Sequence, residues 1–196
     1  KWITVAAVWA GTPQSYYSLL HGYCFHLPVP TAQSSAFAKD LPSLYFLLPN
    51  EKFFGHEPVV SSPTSSYTAS EFPKLFQQRA NVSWSVEMAD QALNLVGQYN
   101  YQWPEGIDGV DCYWGFGRET LETMMYNADS EIGIKEPKRI FGDGDGTVVT
   151  RSSTISCIKW HAQSKSVTLH PLDNAKHLGS LKHPSVLKQV LEDSCS

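Results

Sequence analysis

The stretch Phe141-Gly142-Asp143-Gly144-Asp145-Gly146-Thr147 sets two carboxylates among glycines, and a β-branched pair, Val148-Val149, follows. Glycines open backbone conformations that residues with a Cβ resist, so a tight loop here can aim one carboxylate inward. A carboxylate held in that way can orient a histidine, bind a metal or cap the next helix. Further along, His177 follows the polar stretch Asp173–Lys176. An ordinary imidazole pKa of about 6.5 suits proton transfer near neutral pH. An aspartate on one ring nitrogen fixes the tautomer and stabilises the imidazolium, and the histidine can then take the proton of a serine hydroxyl. Two other chemistries compete for the same residues. Asp143-Gly144-Asp145-Gly146 bears a trace of a calcium loop, but Thr154 stands where an EF-hand needs its bidentate glutamate. His161, His170, His177 and His183 match no common metal-binding spacing. On the residues alone, Asp145 is equally a plain turn residue.

The elements that would position these groups read as α/β. Trp2–Ala10 is nearly all apolar and is stopped by Gly11 and Pro13, the pattern of a strand buried on both faces of a parallel sheet. Such a strand needs neighbours on both edges, which points to sheet partners upstream of Lys1. Ser15–Leu20 reads as a short helix. From Pro28 to Pro104 the periodicity fades, and Pro28, Pro30, Pro42, Pro49, Pro58, Pro63 and Pro73 punctuate the segment. Leu44–Leu48 and Phe53-Phe54 are too apolar for a disordered linker. With helices near Ala69–Gln78 and Val86–Leu95, the segment reads as an inserted cap. Val110–Gly115 then reads as a strand entering a glycine turn, and Lys138–Phe141 leads into the Asp-Gly loop. Val148–Trp160 has helical spacing, with Val148, Ile155 and Ile158 near one stripe. Ser166–His170 alternates as a strand, and Pro184–Leu191 is an amphipathic helix with proline in its first turn. The expected division is residues 1–27 core, 28–104 cap or lid, and 105–196 core.

Strand, Asp loop, helix, strand, His loop and helix follow in that order. In an open parallel sheet, loops at the carboxyl ends of strands converge on one crevice, where Asp145 and His177 would meet. Ser, then Asp, then His is the chain order of the α/β-hydrolase triad. No G-x-S-x-G sequence occurs in the chain. On this reading the chain carries the second half of an active site and does not catalyse alone.

Composition bounds the remainder. The 196 residues suffice for a real core, and 42% are hydrophobic, as in an ordinary globular protein. The formal net charge of −4 offers no electrostatic case for a nucleic-acid partner. Six Trp, nine Tyr and nine Phe serve core packing or, on a sharper reading, an apolar substrate or lipid surface. Cys24, Cys112, Cys157 and Cys195 form no C-x-x-C pair, which argues against a zinc cluster. Asn81-Val82-Ser83 is a glycosylation sequon, and with the even cysteine count it points to a secretory-route protein.

Gly142–Val148, followed by Thr150-Arg151-Ser152 and Cys157, closely resembles the lecithin:cholesterol acyltransferase family. The resemblance extends over essentially the whole chain. Lys1–Pro13 looks like the family strand that ends in Gly-Ala-Pro, although Gln14-Ser15 replace the Trp-Gly-Gly that usually continues it. Ser61-Ser62-Pro63 with Tyr67-Thr68, Glu71–Phe76, Val110–Tyr113 with Gly115, and Lys176-His177-Leu178 also match. The resemblance implies an α/β-hydrolase in which Asp145 is the triad acid, His177 the triad base, and Asp143 a supporting residue. It further implies a Cys112–Cys157 disulfide, whereas Cys24 and Cys195 have no counterparts and are free, paired together or joined to another chain. The nucleophilic Ser and the oxyanion hole would lie on a companion N-terminal chain or segment. The implied activity is that of a serine phospholipase/acyltransferase, of which this chain is a C-terminal subunit or fragment. It would cleave a fatty-acyl ester of glycerophospholipids through an acyl-enzyme and pass the acyl group to water or an alcohol such as a sterol. It would need no metal or organic cofactor, meet a phospholipid membrane or lipoprotein surface, and be secreted or held in a lysosome-, vacuole- or granule-like compartment. A non-catalytic lipid-binding or structural descendant of such an enzyme is the alternative, and an adhesion module built from the cap is a third reading.

Overall fold

The computed structural model describes residues 1–23, 31–79, 83–98, 101–163 and 165–194. Cys24, Asn81 and Cys195 lie outside the described residues. In chain order the elements are β1 (Trp2–Val5), α1 (Pro13–His21), α2 (Thr31–Lys39), α3 (Pro42–Phe46), α4 (Glu51–Phe54), β2 (Val60–Ser61), β3 (Ser66–Tyr67), α5 (Phe72–Arg79) and α6 (Ser83–Gln98). They continue with β4 (Val110–Phe116), β5 (Arg118–Met125), β6 (Lys138–Gly144), α7 (Thr150–Ala162), β7 (Val167–Asp173), α8 (His177–Ser180) and α9 (Pro184–Ser194). The fold class is α/β: a parallel sheet with flanking helices. Among the described residues no helix is long and apolar enough to cross a membrane. The chain divides into two compact units, one of Lys1–Trp9, Asn100–Thr120 and Gly142–Ser196, the other of Ala10–Tyr99 and Leu121–Phe141.

In the first unit β4 is the central strand of a parallel sheet ordered β1-β4-β7, with Trp2 opposite Val110 and Tyr113 opposite His170. Successive side chains of a strand point to opposite faces, and β4 uses both. Val110 and Cys112 join Cys157 and Trp160 of α7 in one apolar cluster. Tyr113, one register step away, joins Leu172 and Val186 of α9 in another. A disulfide ties Cys112 to Cys157 and so links β4 to α7.

Strand β1 is shorter than the apolar run predicts. It ends at Val5, because Ala6 takes a left-handed φ of 50° and turns the chain out of the sheet. The apolar residues beyond serve ring packing instead. Trp9 stands edge-on to Trp2 at 5.6 Å and to Trp160 at 5.4 Å, and Trp103 meets Trp160 at 5.6 Å. Most of the indoles are thus core material. Helix α7 also differs from its expected stripe. Its buried residues are Ser152, Ser153, Thr154, Ser156, Cys157 and Trp160, while Ile158 is half exposed at 50%. Among them, Cys157 bonds to Cys112 of β4.

A second sheet has the order β3-β2-β5-β6, with β2 antiparallel to β3 and parallel to β5. The strand that leads into the Asp-Gly loop, β6, belongs to this sheet. The expectation that the loop follows a strand of the parallel sheet is corrected accordingly: only the His loop does.

The second unit builds its helices from local signals. Thr12 caps α1, its hydroxyl accepting from the Gln14 amide at 3.2 Å, and Pro13 stands in the first turn. Thr68 and Glu71 form a capping box ahead of a short 3-10 turn, Ala69–Glu71, that runs into α5. Helices α5 and α6 answer the two expected near Ala69–Gln78 and Val86–Leu95. Leu44, Tyr45 and Leu48 are buried with Tyr16, Phe72 and Phe76, so the apolar part of the proline-rich segment is a true core. Tyr16 meets Phe72 edge-on at 4.0 Å.

Candidate active site

Asp145 lies in the loop between β6 and α7, and His177 opens α8 just after β7. Both belong to the first unit. The loop turns at Gly146, whose φ of 89° suits glycine. Asp145 is buried, and its Oδ1 accepts from the amides of Thr147 at 2.9 Å and Val148 at 2.8 Å. That arrangement is an Asx turn, which locks the carboxylate's orientation locally. The second oxygen, Oδ2, stands 2.8 Å from His177 Nδ1. The His177 amide also donates to the Asp145 carbonyl at 3.0 Å. The two residues are therefore joined through main chain and side chain together.

The pairing sets the proton chemistry. A carboxylate only accepts, so Nδ1 must carry the hydrogen and the neutral ring holds its lone pair on Nε2. The ring remains partly accessible, with 24% of the side chain exposed against 1% for Asp145. A buried acid behind a reachable imidazole is the arrangement of a general base with its orienting group.

Gly115, near the carboxyl end of β4, makes room for this geometry. A Cβ there would lie 2.4 Å from the Ala175 carbonyl oxygen and 2.9 Å from Asp145 Cβ. The His loop and the Asp loop both press on this position, so only glycine fits without a backbone shift.

The remaining residues fall elsewhere. Asp143 uses Oδ1 to accept from the Gly117 amide at 2.6 Å and Oδ2 to accept from Thr150 Oγ1 at 2.5 Å, and it does not touch His177 among the contacts of the described residues. His170 pairs with Asp111, Nε2 to Oδ1 at 3.0 Å, and lies flat on Tyr113 at 4.1 Å between ring centres. Lys1 Nζ stands 2.6 Å from the other Asp111 oxygen. Burial pushes the Asp111 carboxyl up, but hydrogen bonds from Lys1 and His170 outweigh it and hold the group below the usual carboxylate value. This second His–Asp pair lies toward the start of β4, away from Gly115. Only its register reveals it, since neither residue has a motif around it. Among the described residues no three His, Cys, Asp or Glu side chains gather as a metal site.

Comparison with known proteins follows the same residues. A model of the lecithin:cholesterol acyltransferase family matches residues 88–190, more than half of the chain and the part that holds Asp145 and His177. The lysosomal phospholipase A and acyltransferase of Rattus norvegicus is 28% identical over 198 residues, which cover 96% of this chain and 45% of that protein. The lecithin-cholesterol acyltransferase-like 1 protein of Arabidopsis thaliana is 26% identical, covering 97% of this chain and 42% of its own length. The phosphatidylcholine-sterol acyltransferase of Mus musculus is 29% identical over 134 residues, covering 67% of this chain and 28% of its own. The chain spans less than half the length of these relatives.

Proposed function

The chain belongs to the lecithin:cholesterol acyltransferase family, and on that premise we propose that it supplies the acid and base of a serine phospholipase/acyltransferase. The observation that carries the reading is the buried Asp145 carboxylate 2.8 Å from Nδ1 of an accessible His177. The nucleophilic serine and the oxyanion donors are assigned to a companion N-terminal segment. The substrate is a fatty-acyl ester of a glycerophospholipid, in keeping with relatives that are a phospholipase A and a phosphatidylcholine-sterol acyltransferase, and it is met at a membrane or lipoprotein surface.

The steps follow from the dyad. His177 Nε2 takes the proton of the serine hydroxyl as its oxygen attacks the ester carbonyl. Asp145 stabilises the imidazolium that results, and it stays ionised. Collapse of the tetrahedral intermediate breaks the ester bond, and His177 gives its proton to the departing lysophospholipid oxygen. Water or an alcohol then attacks the acyl-enzyme, His177 takes its proton, and the serine is released with the proton returned. Every charge that develops on the imidazole is met by one buried carboxylate, so no metal is needed in this scheme. The Cys112–Cys157 bridge fits an oxidising, secretory-route compartment.

The test is Asp145→Asn in the protein with its complete native sequence, assayed by release of fatty acid from phosphatidylcholine vesicles. An amide in place of the carboxylate favours the wrong histidine tautomer and should lower kcat about 10⁴-fold. Turnover within a fewfold of the native rate would reject the role of Asp145.

A further inference from the structure

The start of β5, just after its turn from β4, bonds to both loops that carry the dyad, through two side chains with no part in the chemistry. Thr120 is fully buried on β5. Its hydroxyl donates to the Arg118 carbonyl at 3.0 Å and accepts from the Gly146 amide at 2.9 Å. Gly146 directly follows Asp145, so this bond fixes the loop at the residue where it turns. The fit is close: a Cβ at Gly144 would lie 2.5 Å from Thr120 Oγ1. From the same strand, Arg118 Nε donates to the Asn174 carbonyl at 2.9 Å. The Asn174 amide in turn donates to the Phe116 carbonyl at 2.8 Å. Asn174 has a left-handed φ of 53° and begins the loop that delivers His177. Asp143 adds a third tie, since its carboxylate accepts from the Gly117 amide at 2.6 Å.

We propose that Thr120 and Arg118 are positioning residues for the dyad, Thr120 holding the Asp145 loop and Arg118 holding the His177 loop against one shared turn. The proposal rests on the catalytic reading of Asp145 and His177. Its physical basis is that Asp145 and His177 lie on different loops and must keep a hydrogen bond through each proton transfer. The bond from the His177 amide to the Asp145 carbonyl joins the two loops directly, and the shared turn holds each of them at a second point. Thr120 is suited to the role because a single buried hydroxyl is satisfied as donor and as acceptor, which leaves it one rotamer. Arg118 is suited because its Nε–H reaches a carbonyl that the left-handed Asn174 turns toward it.

The experiment compares Thr120→Val, Thr120→Ser and Arg118→Met in the protein with its complete native sequence. Valine keeps the shape and removes the hydroxyl, which leaves the Gly146 amide without its acceptor, whereas serine restores the bond. Two readouts are needed: kcat and KM on phosphatidylcholine vesicles, and the NMR resonance of the His177 Nδ1 proton. Misalignment of reacting groups by about 1 Å costs about 10²-fold in rate. Thr120→Val is expected to lower kcat by about that factor with KM little changed and to broaden or shift the Nδ1 resonance, and Thr120→Ser to recover both. Arg118→Met is expected to disturb the same resonance. Thr120→Val and Thr120→Ser behaving alike, or a native Nδ1 resonance in Thr120→Val and Arg118→Met, would overturn the proposal. The resonance separates the two claims: if Asp145→Asn leaves turnover intact while Thr120→Val still displaces the Nδ1 proton, the alignment stands and the catalytic reading falls.

Discussion

Replacing Cys112 and Cys157 together by alanine is the most informative stability experiment. The bridge joins residues 45 apart in sequence. On the chain-entropy model, opening a loop of that size returns about 13 cal/mol/K to the unfolded chain, or about 4 kcal/mol at 25 °C. Both cysteines are nearly inaccessible, at 2% and 0% exposure. Alanine is therefore the better replacement, because serine would bury two hydroxyls and add a cost that is not the crosslink's. Loss of the sulfur atoms leaves a small void and adds to the destabilisation. The assay is urea unfolding of the protein with its complete native sequence, followed by tryptophan fluorescence. Trp160 of α7 packs beside the bridge and donates from Nε1 to the Tyr101 carbonyl at 2.8 Å, so it reports on this core. A loss of about 4–5 kcal/mol is expected. The closed loop from Cys112 to Cys157 contains Asp145, so the variant's Asp145 loop should also open to hydrogen exchange more readily. A loss below about 1 kcal/mol, with Asp145-loop exchange unchanged, would refute the view that this crosslink holds the loop.

Two further outcomes follow from single contacts. Gly115→Ala puts a methyl group 2.4 Å from the Ala175 carbonyl oxygen and 2.9 Å from Asp145 Cβ; overpacking of that kind should cost about 1–3 kcal/mol in a urea melt and lower turnover with it, and native behaviour would show that the loops can give way. Asp111 is held below the usual carboxylate value by Lys1 and His170 in spite of its burial, so its contribution to stability is present above about pH 3.9 and fades as the pH falls through its lowered native value. Asp111→Asn should flatten the acid limb of a stability–pH profile, and a limb as steep as the native one would exclude Asp111 as its source.

Much of the fold is visible in the sequence where the signal is local. The short helix read at Ser15–Leu20, the alternation at Ser166–His170 and the amphipathic run Pro184–Leu191 follow from the residues themselves, and each yields its element. The readings that went astray depended on partners distant in sequence. The buried face of α7 is serine, threonine and cysteine with Trp160, so no aliphatic stripe marks it. The apolar run after Val5 belongs to a tryptophan cluster whose other members lie at Trp103 and Trp160. Strand β5, with Arg118 and Glu119 at its start, has no clear alternation and shows itself only by pairing. The site was half legible. Asp145 and His177 stand out through the glycines around one and the loop before the other. The choice of Asp145 over Asp143, and the pairing of Cys112 with Cys157, came from family resemblance. In the structure Asp145 is the carboxylate on His177, and Asp143 turns to Gly117 and Thr150. Thr120 and Arg118 carry no motif at all, since a positioning residue is defined by what it touches.

The most direct test of the central proposal is covalent labelling with a fluorophosphonate, which reports nucleophile activation without needing a substrate. The protein with its complete native sequence and its His177→Ala variant would be labelled side by side, and the modified residue located by peptide mass analysis. A dyad of Asp145 and His177 serving a serine predicts rapid labelling of one serine outside residues 1–196 and a fall of about 10⁴-fold or more in the variant. Labelling of the variant at the native rate, or a modified residue within the chain described above, would contradict it.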